Sequence, residues 1–192
     1  MNKNFRLIAI IFSTLIVLGA LWYFYANKAQ AQDIKQNFIL TSPSFNNGDP
    51  IPSKHAYTDC GGNNSSPQLA WSGAPAETKS FALIVDDPDA PGKPWLHWLM
   101  LFPANATSSL PALSEDQKFQ FPHSQLANDY GTDHKRYDGP CPPSGTHRYY
   151  FTLYALDSDI IASATTKRTD FFNFVRKHTI GKAVLMGTYQ AR

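Results

Sequence analysis

Cysteine is nearly absent: Cys60 and Cys141 are the only two in 192 residues. They stand far apart and not in C-x-x-C spacing, so a cysteine-rich zinc cluster has no ligand set. Neither H-x-E nor H-E-x-x-H occurs, which removes the usual helix-borne metal motifs. No glycine-rich phosphate cradle of the Walker or dinucleotide type exists, and no G-x-S-x-G elbow marks a nucleophile. Charge of one sign never accumulates in a block, and neither internal repeats nor low-complexity tracts interrupt the chain. Nucleotide-fold enzymes, repeat arrays and charged tails are thereby set aside.

A long hydrophobic run does occur, once. Lys3 and Arg6 precede residues 7–25, nineteen residues without a charge and with only Ser13 and Thr14 as polar side chains. That exceeds the 7–15 residues of a usual signal-peptide core and approaches the ~20 that span a bilayer. Trp22, Tyr23, Phe24 and Tyr25 form an interfacial aromatic cluster at its far end. The spacing predicts an N-terminal hydrophobic helix, with residues 1–31 as a membrane anchor or signal peptide. Ala29-Gln30-Ala31 offers the small-x-small form of a cleavage site after Ala31. The positive flank stays cytoplasmic, so the rest is expected on the periplasmic or extracellular face, anchored by residues 7–25 or secreted. The membrane is met only through this segment.

Without residues 1–31, which hold Lys3, Arg6 and Lys28 and no acid, the 17 basic residues become 14 against 15 acidic ones. The formal +2 becomes −1, and a nucleic-acid partner loses its electrostatic support. In an exported chain the economical expectation for the cysteines is a Cys60–Cys141 disulfide.

The remaining ~160 residues suit one domain with a sizeable core. Fourteen prolines and eleven glycines punctuate short apolar runs, the pattern of a mainly β, antiparallel domain. Strands are predicted over 38–41, 68–71, 79–85, 97–102, 147–156 and 182–189. One helix is expected, with Thr169 as N-cap and Phe171, Phe174, Val175 and His178 on one face. Residues 115–138 are polar and aperiodic and read as a long surface loop. His55 and His134 sit in polar stretches and read as solvated; His178 reads as a packing or capping residue.

Two stretches carry chemistry. Val85-Asp86-Asp87-Pro88-Asp89-Ala90-Pro91 ends an apolar strand in acids and prolines, and prolines cannot donate to a sheet ladder. Trp95-Leu96-His97-Trp98 follows. Later, Gly139-Pro140-Cys141-Pro142-Pro143-Ser144-Gly145-Thr146 runs into His147-Arg148-Tyr149-Tyr150-Phe151, where period two puts His147, Tyr149, Phe151 and Leu153 on one face. Twice, a stiff loop feeds a strand opened by a histidine. The bland alternative is that the aspartates only cap their turn.

D-P-D-A-P, then H-W, then G-P-C-P-P-x-G-x-H-R-Y, in this order, resembles the phosphatidylethanolamine-binding protein family, in its bacterial Raf-kinase-inhibitor-like branch. Ser66-Pro67-Gln68-Leu69-Ala70-Trp71-Ser72-Gly73-Ala74-Pro75 and Leu185-Met186-Gly187-Thr188-Tyr189-Gln190 add to it. The resemblance implies a β-sandwich over residues 38–190 with a few peripheral helices. It implies a ligand pocket built from Asp87, Asp89, Trp95, His97, Pro142, His147 and Tyr149. One departure stands out: relatives usually read Y-T-C-D-G, and this chain has Tyr57-Thr58-Asp59-Cys60-Gly61.

Two acids in an anion pocket repel an oxyanion unless a proton or a cation neutralises them. His97, His147 and Tyr149 can donate hydrogen bonds, so a protonated phosphate or a phosphoethanolamine could be shared between donor and acceptor walls. The expectation is therefore a non-enzymatic exported binding protein without cofactor or metal. Its partners would be a small anionic ligand or phospholipid head group and a regulated protein such as a kinase or protease. The alternative is a metal-dependent hydrolase using Asp87, Asp89, His97 and His147.

Overall fold

A computed structural model describes residues 37–114 and 116–191. The expected leader and hydrophobic helix, residues 1–31, lie outside the described residues. Among the described residues no helix is long and apolar enough to cross a membrane.

Among the described residues, eight strands form two antiparallel sheets. Strands β1 (Ile39–Thr41), β2 (Leu69–Ser72) and β5 (Ser109–Leu110) make the smaller one, in the order β1-β2-β5. Strands β3 (Ser80–Asp87), β4 (Trp95–Pro103), β6 (Ser124–Leu126), β7 (Thr146–Leu156) and β8 (Thr179–Gln190) make the larger, in the order β6-β4-β3-β7-β8. The six predicted strands all exist, with ends moved by up to three residues. The β5 and β6 pairings were not predicted, because two- and three-residue strands show no periodicity.

The larger sheet is covered on both faces. Phe81, Leu83 and Val85 of β3, with Trp98, Met100, Phe151 and Leu153, pack against Leu40, Leu69 and Leu110 of the small sheet. The alternate residues Ala82, Ile84, Leu99 and Leu101 pack against Phe171, Phe174 and Val175 of the helix α1 (Arg168–His178). Period two thus sends every second residue of β3 into a different core, and the strand reads as a continuous apolar run. The helix starts one residue before Thr169, and Lys167 rather than Thr169 stands at its N-cap without a side-chain bond.

The stretch expected as a surface loop is not simply one over its described residues 116–138. They contain β6, and Phe119, Leu126, Asn128, Tyr137 and Asp138 are buried. Their polar composition hid this, because much of that polarity is spent on internal hydrogen bonds rather than on water.

Candidate functional site

The antiparallel pairing fixes where the chemistry gathers. The C-terminal end of β3 lies between the starts of β4 and β7, since β3 pairs with both in opposite directions. Asp87, Trp95, His97, His147 and Tyr149 therefore arrive at one edge of one sheet. Asp87 continues the inward face of Phe81, Leu83 and Val85.

His97 needs one more device. Val85 pairs with Trp98 but Asp86 pairs with Leu96, so His97 is the extra residue of a β-bulge. The bulge reverses the alternation: Leu96 joins the α1 side with Leu99 and Leu101, and His97 turns to the opposite side. Without it the imidazole would face the helix.

These ends border a cavity of about 490 Å³. Asp87, Trp95, His97, Pro142 and Tyr149 line it, as do Pro143, Tyr57, Asp59, Tyr130, Ala90 and Pro91. No lysine or arginine is among the lining residues. Aromatic rings interlock around it: Tyr130 lies 4.5 Å from Tyr57 and 5.9 Å from Trp95 between centroids.

Asp87 is buried and uses both oxygens. Oδ1 accepts the Asp89 backbone N–H at 2.9 Å, and Oδ2 meets His147 Nδ1 at 2.7 Å. The bland capping role and the pocket role are thus held by one side chain. His147 stands behind Asp87 and is not a lining residue. Burial lowers the His97 pKa, and its Nδ1 bonds the Asp138 carbonyl at 2.7 Å. Burial, reinforced by Asp87, holds the Tyr149 hydroxyl well above its usual range. That hydroxyl lies near Asp87, yet no hydrogen bond of good geometry satisfies it.

Asp89 is elsewhere. It turns outward and grips Arg148 through two guanidinium bonds of 2.6 and 2.8 Å and the Arg148 backbone N–H at 2.9 Å. This pairing pulls its pKa to about 2. The D-P-D acids therefore separate, one to the cavity and one to a surface ion pair.

Cys60 and Cys141 are bonded, with Cα atoms 5.5 Å apart. The bridge ties the wall containing Pro142 and Pro143 to the Tyr57–Asp59 wall. The exchanged order at residues 59 and 60 leaves the bridge in place and puts Asp59 on the cavity rim. Gly139 completes the junction: a Cβ there would sit 1.9 Å from the His55 carbonyl, so only glycine fits.

The expectation of solvated histidines fails at two positions. His55 is fully buried, with Nδ1 on the Ser65 carbonyl at 2.7 Å. His134 bonds the buried Asp138 at 2.8 Å. His178 packs on Phe174 and bonds Asp157 at 2.9 Å.

The family model for phosphatidylethanolamine-binding protein matches residues 41–190. The chain belongs to the phosphatidylethanolamine-binding protein family. It is similar to a UPF0098 protein of Methanothermobacter thermautotrophicus, 42% identical over 152 residues, covering 79% of this chain and 97% of that one. It also resembles the UPF0098 protein YbhB of Escherichia coli, 41% identical over 128 residues, 64% of this chain and 80% of that one. Among solved structures, E. coli YbcL, described as a member of the mammalian family, superposes with a TM-score of 0.73. Its identity is 32%, over 81% of this chain and 99% of YbcL. A Chlamydia trachomatis protein described as a family homolog gives 0.70 at 34% identity, over 82% of this chain and 100% of that one. The mainly β architecture with few helices is that of the family.

Proposed function

We propose that this protein is a non-enzymatic binding protein whose cavity takes a small phosphoryl head group, phosphoethanolamine being the chemistry that fits its walls best. The observation that carries the reading is the trio of Asp87, His97 and Tyr149 on one cavity, with the Tyr149 hydroxyl left without a good partner. A phosphoryl oxygen accepts from Tyr149 while a ligand hydroxyl donates toward Asp87 or His97. An ammonium group suits the other wall, where Asp59 supplies charge and the Tyr57, Trp95 and Tyr130 faces favour a cation.

The hydrolase alternative draws less support. Asp87 and His147 spend Oδ2 and Nδ1 on each other and Asp89 faces Arg148, so the four candidates do not converge. Among the described residues no three histidine, cysteine or acidic side chains are grouped to hold a metal ion.

Export is part of the proposal. The charge-free run at residues 7–25 and the Cys60–Cys141 bond both suit a domain outside the cytoplasm, tethered or released after Ala31. There the head group of a lipid, or a protein partner regulated through the same cavity, is within reach.

Thermal unfolding of the full-length protein, titrated with phosphate, phosphoethanolamine and acetate, tests the reading. A rise in melting temperature that grows with ligand and vanishes in Tyr149→Phe supports it. No rise with any of the three overturns it and directs attention to a protein partner.

A further inference from the structure

Behind the cavity, one carboxylate organises residues 127–139. Asp138 is fully buried and accepts four hydrogen bonds. Asn64 Nδ2 at 2.9 Å and Arg136 Nε at 3.1 Å reach Oδ1. Asn128 Nδ2 at 2.6 Å and His134 Nδ1 at 2.8 Å reach Oδ2. Four donors fill the acceptor capacity of a carboxylate.

The same residue clamps His97 through its main chain. The Asp138 N–H donates to the His97 carbonyl at 3.1 Å, and the Asp138 carbonyl meets His97 Nδ1 at 2.7 Å. A carbonyl oxygen cannot donate, so Nδ1 carries the proton. In a neutral ring Nε2 is then a lone pair. His97 lines the cavity, and Nε2 makes no hydrogen bond within the described residues.

We propose that Asp138 is a positioning residue that holds His97 as the Nδ1–H tautomer, so that the cavity accepts a phosphoryl group only in its singly charged, protonated form. The ligand hydroxyl donates its hydrogen bond to Nε2; no covalent bond changes. The ligand half of the inference rests on the phosphoryl reading above.

The surroundings agree. The groups facing the ring are Asp87 from β3 and Tyr149 from β7, with His147 behind Asp87. From residues 127–139 come Tyr130, 5.6 Å away between ring centroids, and the charges of Asp129 and Asp138, while Tyr57 and Asp59 line the same cavity. The cavity wall holds no lysine or arginine that would stabilise a doubly charged phosphate. Burial opposes charging of His97 and outweighs the Asp138 carbonyl bond and the nearby carboxylates, which favour it. The proton must come with the ligand.

Two readouts on the full-length protein test this. Nitrogen-15 NMR of the histidine rings at pH 7 reports the tautomer directly and needs no ligand. The expected His97 signature is Nδ1–H in the wild type, and mixed tautomers in Asp138→Ala or, should that variant fail to fold, in Asp138→Asn. An Nε2–H ring or an imidazolium in the wild type overturns the inference, as does an unchanged signature in a folded Asp138 variant. Binding of phosphoethanolamine is then followed from pH 5 to 8. Affinity should fall about tenfold per pH unit above the ligand's second pKa, near 6 for a phosphomonoester. The midpoint should move upward with a phosphonate of higher second pKa. A flat profile, or a midpoint indifferent to the ligand, overturns the proton requirement. No binding at any pH, with His97 in the Nδ1–H form, overturns the phosphoryl reading and leaves Asp138's role supported.

Discussion

His147 Nδ1 and Asp87 Oδ2 lie 2.7 Å apart, joining the first inward residue of β7 to the last of β3. The pair is almost wholly enclosed, at 8% and 3% exposure. Because Asp87 also caps its own turn through Oδ1, the site and the loop share one side chain.

Removing His147 leaves a buried carboxylate with one partner fewer. His147→Ala should lower stability by about 1–3 kcal/mol, read by urea unfolding, and abolish the response to phosphoethanolamine. Full ligand response in a folded variant would separate His147 from the site.

Tyr149→Phe should behave in the opposite sense. Deleting a poorly satisfied buried hydroxyl is expected to leave stability unchanged or raise it by about 1 kcal/mol, while ligand affinity drops at least about tenfold. A loss of both would show that the hydroxyl is structural.

Asp89→Asn should leave ligand affinity unchanged, because Asp89 faces Arg148 at the surface. Its pKa of about 2 lies below the unfolded value of about 3.9. Its ionised form therefore adds stability above that unfolded value, and the gain is lost as pH falls toward 2. The variant should differ from wild type only by losing this acid-range slope in unfolding experiments.

Asp86 carries the opposite sign. Burial, with Asp87 beside it, raises its pKa to about 6. The folded state then holds the proton more tightly than the unfolded chain, so this group favours folding at low pH and opposes it as pH rises through 6. Asp86→Asn should stabilise the protein at pH 7 by about 1 kcal/mol after allowance for partial exposure, and flatten stability between pH 4 and 6. Urea midpoints at four pH values would show it.

Cleaving the Cys60–Cys141 bond opens a loop closed across 81 residues. Reduction, or Cys141→Ser, should cost up to about 4 kcal/mol in the chain-entropy account and weaken ligand binding, since both cavity walls hang on the bridge. Unfolding with and without reductant measures the first effect, and titration the second.

Much of this was legible in the residues, and the boundary is physical. Strands as long as β3, β4 and β7 announce themselves through apolar runs, and proline-rich turns mark where they stop. The ordered motifs led to Asp87, Trp95, His97, Pro142 and Tyr149, all of which line the cavity. The separate fate of Asp89 could not be read, because pairing with Arg148 depends on which strand becomes the neighbour. Tyr130 and Asp138 were hidden in a stretch whose polarity resembles a solvated loop; four donors converging on Asp138 appear only when distant segments meet. The His97 bulge was also silent, since a one-residue register shift leaves no mark on composition.

A small phosphoryl ligand in the cavity should be visible through the tryptophans, of which the chain has four. Trp95 lines the cavity, whereas Trp98 lies in the core and Trp71, half-buried, packs against it. Titrating nitrogen-15-labelled full-length protein with phosphoethanolamine at pH 6 should shift the Trp95 indole signal saturably and leave those of Trp71 and Trp98 in place. An unmoved Trp95 signal at saturating ligand would mean that the cavity does not take a phosphoryl head group.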